Sequence, residues 1–242
     1  MSNNKMKIEV WSDVMCPFCY IGKRHYEKAM AQFADAQNVE LEWKSFQLDP
    51  AIPNDLNGKQ NTYEYLAASK GMSMDQVLQM TAGVTQMAKN AGLEIDFNKA
   101  VAANTFKAHR VIQMAKTKGL GDAIEEGFFK AHFEDGLDVG ADEVLLEIGK
   151  KSGLDEADVK EALANEDYAY KVNQDILEAR NIGVSSVPFF VFDRKYAISG
   201  AQPADAFLQT LNKSFGEWRK ANPLIQLEIS EGAGCTPDGI CN

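Results

Sequence analysis

Two cysteines near the start of the chain are the residues best suited to chemistry. Cys16 and Cys19 stand in the stretch "SDVMCPFCYIGK", with only Pro17 and Phe18 between them. A thiol pair at this spacing can supply half of a metal site, close a structural disulfide or carry out redox chemistry. Which of these uses applies depends on the elements that position the pair.

The residues on either side predict a strand followed by a helix. "KIEVW" alternates polar and apolar residues from Lys7 to Trp11, which is typical of a strand, and the residues after Gly22 have helical spacing. Cys16 therefore lies at a helix N-terminus, where free backbone N–H groups and the helix dipole favour the thiolate. A substrate thiolate can attack an oxidised Cys16, and Cys19, one turn further in, can resolve the mixed disulfide.

A zinc site and a structural disulfide are the alternatives for this pair. Zinc needs two further ligands, and the only histidines, His25, His109 and His132, form no HxxxH pair. A second pair of cysteines near the end of the chain could complete a Cys₄ site across the fold. A structural disulfide is disfavoured in a reducing compartment.

Composition points to an ordinary globular protein of the cytoplasm. The 242 residues are 45% hydrophobic and 25% charged, with a formal net charge of −10 and no basic run. Nucleic acid and anionic membranes are therefore poor candidate partners. The N-terminal residues lack the apolar segment of a secretory signal, and no stretch approaches the roughly 20 apolar residues of a membrane span. We expect a cytoplasmic location, where paired cysteines are more often catalytic or metal-binding than structural.

The order of predicted elements indicates an α/β fold interrupted by helices. A second strand is predicted from Val39 to Leu48, and helical periodicity then continues from about 62 to 183, as four or five packed helices. "SMDQ", Ser73 to Gln76, predicts a capping box. A hairpin follows across a turn at Asp193–Arg194, and a last helix opens at Pro203.

A proline far from the cysteines is the second functional signal. "SVPFFVFD" places Pro188 just before a strand, where a proline loses a ladder hydrogen bond. A cis Val187–Pro188 bond would present the backbone of Val187 to an incoming peptide. An ordinary trans proline at a strand start is the more common situation.

"SDVMCPFCYIGK" together with "GVSSVPFFVFDRKYAISGAQP" resembles the DsbA family of thioredoxin-fold oxidoreductases, and within it the cytoplasmic FrnE-like branch. The resemblance covers nearly the whole chain. It implies a thioredoxin fold with a large inserted all-helical domain, with Cys16 as nucleophile, Cys19 as resolving thiol and Pro188 in cis. It also implies that the dipeptide Pro17–Phe18 tunes the redox potential.

The resemblance sets the expected domain boundaries. Residues 1–58 and 184–222 would form the thioredoxin-fold domain, and residues 59–183 the helical insertion, whose last helix could return to the thioredoxin domain. Residues 223–242 would form a C-terminal tail.

The expected activity is that of a protein thiol-disulfide oxidoreductase, with disulfide isomerisation as a further possibility. Its substrates would be cysteine-containing proteins or peptides and small thiols, with no organic cofactor, no metal and glutathione as a candidate reductant. Glutathione-dependent transferases of the kappa class and related isomerases share the superfamily, but they typically have serine where Cys16 stands. That activity and a zinc-stabilised binding or holdase module are the alternatives.

The tail carries the second cysteine pair, Cys235 and Cys241, in "CTPDGIC". FrnE-like proteins are similar in carrying an extra C-terminal pair, so we expect an auxiliary redox pair that exchanges electrons with Cys16 and Cys19. A passive disulfide, metal binding and inert thiols are the alternatives.

Four other titratable side chains were considered as possible participants in the reaction. Asp13, three residues before Cys16, is either a proton acceptor or an exposed loop acid. His109 and His132 fall on predicted helices and are expected to be satisfied or surface histidines. His25 is expected to point away from the cysteines.

Overall fold

A four-stranded mixed sheet lies at the centre of the protein. The computed structural model describes residues 5–54, 56 and 60–223. The strands are β1 (Met6–Ser12), β2 (Val39–Ser45), β3 (Phe189–Phe192) and β4 (Tyr196–Ser199), in the order β2-β1-β3-β4. β1 runs parallel to β2 and antiparallel to β3, and β3 and β4 are antiparallel. The expected α/β class is confirmed.

The first strand, the first helix and the second strand form one parallel β-α-β unit. Helix α1 (Pro17–Met30) lies in the connection between β1 and β2. This connection has to cross over the sheet, because parallel strands cannot be joined by a tight turn. β2 ends at Ser45, three residues before the expected end at Leu48. The ladder stops there because the N–H of Leu48 donates to the Asp13 carboxylate at 2.7 Å instead of to a strand.

The hairpin of β3 and β4 turns at Asp193–Arg194, as predicted. Both residues have positive φ, 49° and 54°, and the Lys195 N–H donates to the Phe192 carbonyl at 3.0 Å, so the chain reverses within the three residues between the paired Phe192 and Tyr196. The Arg194 side chain forms ion pairs with Glu9 of β1 and with Glu178, the latter at 2.7 Å. The turn is thereby fixed to the neighbouring elements.

The helical block contains more helices than the sequence suggested. Among the described residues it comprises α2 (Thr62–Lys70), α3 (Met74–Asn90), α4 (Phe106–Thr117), α5 (Gly121–Phe133), α6 (Asp142–Lys151), α7 (Glu156–Ala164) and α8 (Glu166–Asn181). The expectation of four or five was wrong because some connections are very short: Asn165 both ends α7 and caps α8. The capping box of Ser73 and Gln76 at the start of α3 is confirmed.

The last helix, α9 (Ala204–Ala221), begins directly after Pro203 as predicted. Its apolar face packs on α1 and on β3. The rings of Phe207 and Phe190 lie 4.7 Å apart, edge to face, and those of Phe215 and Phe33 lie 5.3 Å apart in the same arrangement.

The helical block, α2 to α8, and the sheet share one hydrophobic core. One cluster of buried residues runs from the strands and α9 into α4, α5, α6 and α7, and α8 packs against β2. A second cluster surrounds the two cysteines. The division of the chain into domains at the boundaries given above stays a prediction. In the described part of the chain, no helix combines the length and the apolarity that crossing a membrane would require.

Candidate active site

Cys16 is the N-cap residue of α1, directly before its first helical position, and is nearly buried. Its backbone is extended, with φ −94° and ψ 111°, and its carbonyl accepts the N–H of Cys19 at 3.0 Å. Pro17 follows as the first helical residue, where a missing N–H costs no hydrogen bond. The Cys16 side chain is 4% exposed, whereas Phe18 is 37% exposed. Phe18 therefore forms accessible apolar surface beside the thiol.

The loop before β3 meets Cys16 from the other end of the sequence. The Val187–Pro188 peptide bond is cis. The Cys16 Sγ lies 3.6 Å from the Val187 carbonyl oxygen, to which the thiol donates. Pro188 is anchored in turn, because its carbonyl accepts the N–H of Gly200 at 2.8 Å. The structure thus brings Cys16, Val187 and Pro188 together.

Cys19 is completely buried, with an exposed fraction of 0%. Both cysteines are free thiols. Burial, followed by the neighbouring Cys16, raises the pKa of Cys19 well above its ordinary value, against the opposing effect of hydrogen bonds from the Asp13 backbone and the Ser12 hydroxyl. Cys19 is therefore held as a neutral thiol at neutral pH.

Ser12 connects this region to a carboxyl group that the sequence did not point out. The Ser12 Oγ donates to the Glu125 Oε1 at 2.7 Å, and Glu125 lies on α5, in the helical block. Burial raises the pKa of Glu125 to about 7, against the lowering effects of His109 and of the Ser12 hydrogen bond. A buried carboxyl with a pKa near neutrality is a functional-site candidate.

Glu125 could have been found by its spacing. On α5 it shares a face with Phe128, Phe129 and His132, the i, i+3, i+4 and i+7 positions of a buried helix stripe. A glutamate inside such a stripe is rarely buried without a partner. Its partner, Ser12, lies 113 positions earlier, which local patterns do not reveal.

Asp13 is buried, so the expectation of an exposed loop acid was wrong. Its carboxylate accepts the N–H of Leu48 at 2.7 Å and that of Met15 at 3.4 Å. The His109 Nε2 lies 3.4 Å from Asp13 Oδ1. Burial lowers the pKa of His109, but the hydrogen bond and charge of Asp13 more than offset this and raise it.

The other two histidines differ sharply from each other. His25 Nδ1 lies 2.8 Å from the Gln202 carbonyl oxygen, and its expected orientation away from the cysteines stays a prediction. His132 is buried against Phe133, and its Nδ1 has no hydrogen-bond partner among the described residues, contrary to the expected satisfied or surface position. Burial lowers the pKa of His132 to about 4.

Cys235 and Cys241 lie outside the described residues. Within residues 5–54, 56 and 60–223, no group of three or more His, Cys, Asp or Glu side chains could hold a metal ion.

Comparison with known sequences identifies relatives along most of the chain. The sequence model of the family described as DSBA-like thioredoxin domain matches residues 7–212. The protein YwbO of Bacillus subtilis is 28% identical over 207 residues, covering 85% of this chain and 95% of that protein.

Solved structures with the same fold include two oxidoreductases. A probable DsbA oxidoreductase from Streptomyces coelicolor superposes with a TM-score of 0.81 at 36% identity, over 98% of each chain. The cytosolic disulfide reductase DsbM from Pseudomonas aeruginosa, solved with glutathione, superposes with a TM-score of 0.57 at 15% identity, over 90% of this chain and 100% of that one. At that identity the second likeness concerns the fold alone.

Proposed function

Because this chain belongs to the DSBA-like thioredoxin domain family of oxidoreductases, we propose that it exchanges thiols and disulfides in proteins through Cys16 and Cys19. One observation carries the proposal. Cys16 stands at the start of α1, 3.6 Å from the Val187 carbonyl oxygen, while Cys19 lies buried one turn behind it. A peptide that reaches the accessible edge of this site meets Cys16 first.

The reaction proceeds in two exchange steps. The Cys16 thiolate attacks one sulfur of a substrate disulfide, and the other substrate sulfur leaves as a thiolate. The Cys19 thiolate then attacks Cys16, which closes the Cys16–Cys19 disulfide and releases the second substrate thiolate. Two electrons pass from the enzyme dithiol to the substrate, and two small thiols can restore the dithiol. The reverse sequence oxidises a substrate dithiol, and reopening of the mixed disulfide by a substrate thiol isomerises disulfides.

The substrates in this proposal are proteins or peptides that contain cysteine, as well as small thiols. Glutathione is the proposed reductant, a role supported by its presence in the DsbM structure that shares the fold. We also propose a cytoplasmic location, which is the location named for DsbM. The net charge of −10 argues against nucleic acid and anionic membranes as partners.

Reduction of a model protein disulfide, such as insulin, tests the proposal. With glutathione as electron donor, wild-type protein should accelerate reduction, and Cys16→Ser should return the rate to that of glutathione alone. Cys19→Ser should instead accumulate a mixed disulfide on Cys16, visible by mass spectrometry.

Full activity of Cys16→Ser would overturn this mechanism. Saturable glutathione binding, with an activity that survives Cys19→Ser, would favour a glutathione-dependent transferase or isomerase. Stoichiometric zinc in protein purified without added metal would favour the zinc-stabilised module.

Electron exchange with Cys235 and Cys241 is a further part of the proposal. Cys235 follows Pro223 by 12 positions, and 12 extended residues span up to about 40 Å. The 14 residues of α1 are about 21 Å long. Since α9 packs its Phe215 against Phe33, just beyond the end of α1, the maximum span of those 12 residues can be compared with the length of α1, which it exceeds.

A double substitution, Cys235→Ser with Cys241→Ser, tests the exchange. The proposal expects slower turnover of a dithiol substrate while the reaction of Cys16 with a small disulfide stays unchanged. Unchanged turnover in the double variant would remove the exchange and leave the Cys16–Cys19 chemistry intact.

A further inference from the structure

A glycine in the interior of α1 leaves room for the ring of Pro188. Gly22 is buried and lies further along the helix than both cysteines. A Cβ on Gly22 would lie 3.0 Å from the Pro188 Cγ and 3.5 Å from the Phe190 Cε2. Carbon atoms in ordinary contact are about 3.5–4.0 Å apart, so any side chain at position 22 would press on Pro188.

Helix propensity does not account for this glycine, because glycine weakens a helix interior relative to alanine. Gly216, in the interior of α9, shows the other situation: a Cβ there would meet no atom within 4 Å among the described residues. The absence of a side chain at Gly22 therefore matters for the contact with Pro188.

The loop that carries Pro188 is tied to α1 close to this contact. The Pro188 carbonyl accepts the N–H of Gly200 at 2.8 Å. Two residues after Gly200, the Gln202 carbonyl oxygen lies 2.8 Å from the Nδ1 of His25, which is one turn beyond Gly22 on α1. Because the loop is held against the helix in this way, a side chain at position 22 would displace Pro188 itself.

A displacement of Pro188 would act directly on the reacting thiol's surroundings. Val187 precedes Pro188, and its carbonyl oxygen lies 3.6 Å from the Cys16 Sγ. A peptide that presents a sulfur to Cys16 has to lie beside Val187 and Pro188. A small disulfide has no chain on either side of its sulfurs and needs only access to Cys16.

We propose that Gly22 is a positioning residue, which seats Pro188 beside Cys16 and thereby favours peptide disulfides over small disulfides as substrates. This inference rests on the proposed function. Gly22 touches neither the sulfur nor the substrate, and it supplies no proton or electron. Its effect is confined to where the backbone at Val187 and Pro188 lies when Cys16 attacks.

Two disulfides with the same leaving group separate positioning from thiol reactivity. One is 5,5′-dithiobis(2-nitrobenzoate), and the other is a short extended peptide whose single cysteine carries a 2-nitro-5-thiobenzoate group. In both, the Cys16 thiolate forms a new S–S bond, the old S–S bond breaks, and 2-nitro-5-thiobenzoate leaves with the electron pair. The first release of this chromophore in a stopped-flow trace gives the rate of attack by Cys16.

The parent protein for these measurements is the full chain with Cys235→Ser and Cys241→Ser, in which Cys16 and Cys19 are the only cysteines. Gly22→Ala should lower the second-order rate constant for the peptide by about tenfold, because a misplaced docking surface costs rate steeply. The rate constant for 5,5′-dithiobis(2-nitrobenzoate) should stay within about twofold of the parent value.

Gly149→Ala is the matched control. A Cβ on Gly149 also meets a neighbouring side chain, at 2.4 Å from the Val159 Cγ2, but this contact lies between α6 and α7. Val159 belongs to the hydrophobic cluster that does not include the two cysteines. Gly149→Ala should therefore keep the parent's ratio of the two rate constants, which separates positioning from a general loss of packing.

Gly200 offers a second variant, which disturbs Pro188 without a change in α1. Gly200 has φ 79°, where alanine is strained, and a Cβ there meets no atom within 4 Å among the described residues. Gly200→Ala should loosen the hydrogen bond to the Pro188 carbonyl and slow only the peptide reaction. This variant decides the question if Gly22→Ala does not fold.

Two rate constants that change by the same factor in Gly22→Ala, or that both keep their parent values, would overturn the positioning role. If only Gly200→Ala folds, the same results in that variant would overturn it. Absence of chromophore release from both disulfides in the parent protein would instead overturn the proposed function.

Discussion

Behind the two thiols, at the scale of single residues, lie four buried side chains that can carry a proton: Asp13, Glu125, His109 and His132. Burial disfavours the charged form of each such group, so it is costly unless the group is paired. The Glu125 carboxylate accepts the Ser12 hydroxyl, and Asp13 lies 3.4 Å from His109. The Nε2 of His109 and the Nδ1 of His132 form no hydrogen bond among the described residues. The free-energy cost of burying ionisable groups is therefore concentrated in these four side chains.

His132 should limit stability in acid. Its pKa of about 4 in the folded protein lies below the ordinary 6.5, so the unfolded chain binds the proton more tightly. Stability is therefore lost as pH falls from about 6.5 to about 4, by about 3 kcal/mol from this group. Urea unfolding at pH 7 and pH 4 should show a smaller loss for His132→Leu than for wild type. An equal loss in both proteins would contradict the prediction.

Glu125 should have the opposite effect at higher pH. Its folded pKa of about 7 lies above its ordinary value of 4.5, so the folded protein binds the proton more tightly, and stability falls as pH rises through this interval. Glu125→Gln lacks this titration. Relative to wild type, it should gain about 3 kcal/mol in free energy of unfolding between pH 4.5 and pH 8. A stability difference that does not change with pH would show that the carboxyl group keeps its ordinary pKa.

At the scale of the elements, two helical glycines differ in how closely a neighbouring helix packs against them. Gly149 of α6 faces Val159 of α7, and a Cβ on Gly149 would lie 2.4 Å from the Val159 Cγ2. Gly83 in the interior of α3 has open space instead, with no atom within 4 Å of such a Cβ among the described residues. The two glycines therefore separate a packing requirement from helix propensity.

Alanine substitutions should thus have opposite effects at the two glycines. Gly149→Ala should destabilise the protein by about 1–3 kcal/mol, because α6 and α7 must move apart. Gly83→Ala should stabilise it by about 0.5–1 kcal/mol, because alanine is the better helix former. Urea unfolding of both variants measures the two effects, and shifts in the same direction would count against the α6–α7 contact.

Elements with strong local signals could be predicted, and those set by contacts across the chain could not. The alternation in "KIEVW", the capping box at Ser73 and the start of α9 at Pro203 are local, and each was found in the structure. The short break at Asn165 was missed because a single residue ends one helix and caps the next. The Ser12–Glu125 contact joins positions 113 residues apart, so it appears only after folding.

On the scale of the whole molecule, one residue of α8 connects three other elements. The Asp175 carboxylate accepts the N–H of Ser45 at 3.0 Å and the Gln113 amide at 2.6 Å, and it pairs with Lys44 at 3.2 Å. Its backbone carbonyl accepts the Trp11 indole N–H at 2.9 Å. The sheet and the helical block are thus joined by buried polar contacts as well as by shared core.

Asp175→Ala should lower the free energy of unfolding by about 2–4 kcal/mol, because it leaves buried donors unpaired. Glu166 lies on the same helix as Asp175 and is an exposed partner of Arg110 of α4. Glu166→Ala should therefore change the free energy of unfolding by less than about 1 kcal/mol.

In wild type, tryptophan fluorescence and far-ultraviolet circular dichroism should report one shared transition. Two separate transitions would mean that the helical block and the sheet unfold independently.

The sheet order also bears on how the protein behaves at high concentration. Its outer strands are β2 and β4, and an open strand edge is a template on which another chain can aggregate. α8 covers β2, where Asp175 takes the N–H of Ser45. β4 is only four residues long and follows directly on Lys195, a charged residue of the kind that discourages strand addition. The described sheet thus offers other chains few backbone positions at which an intermolecular sheet could start.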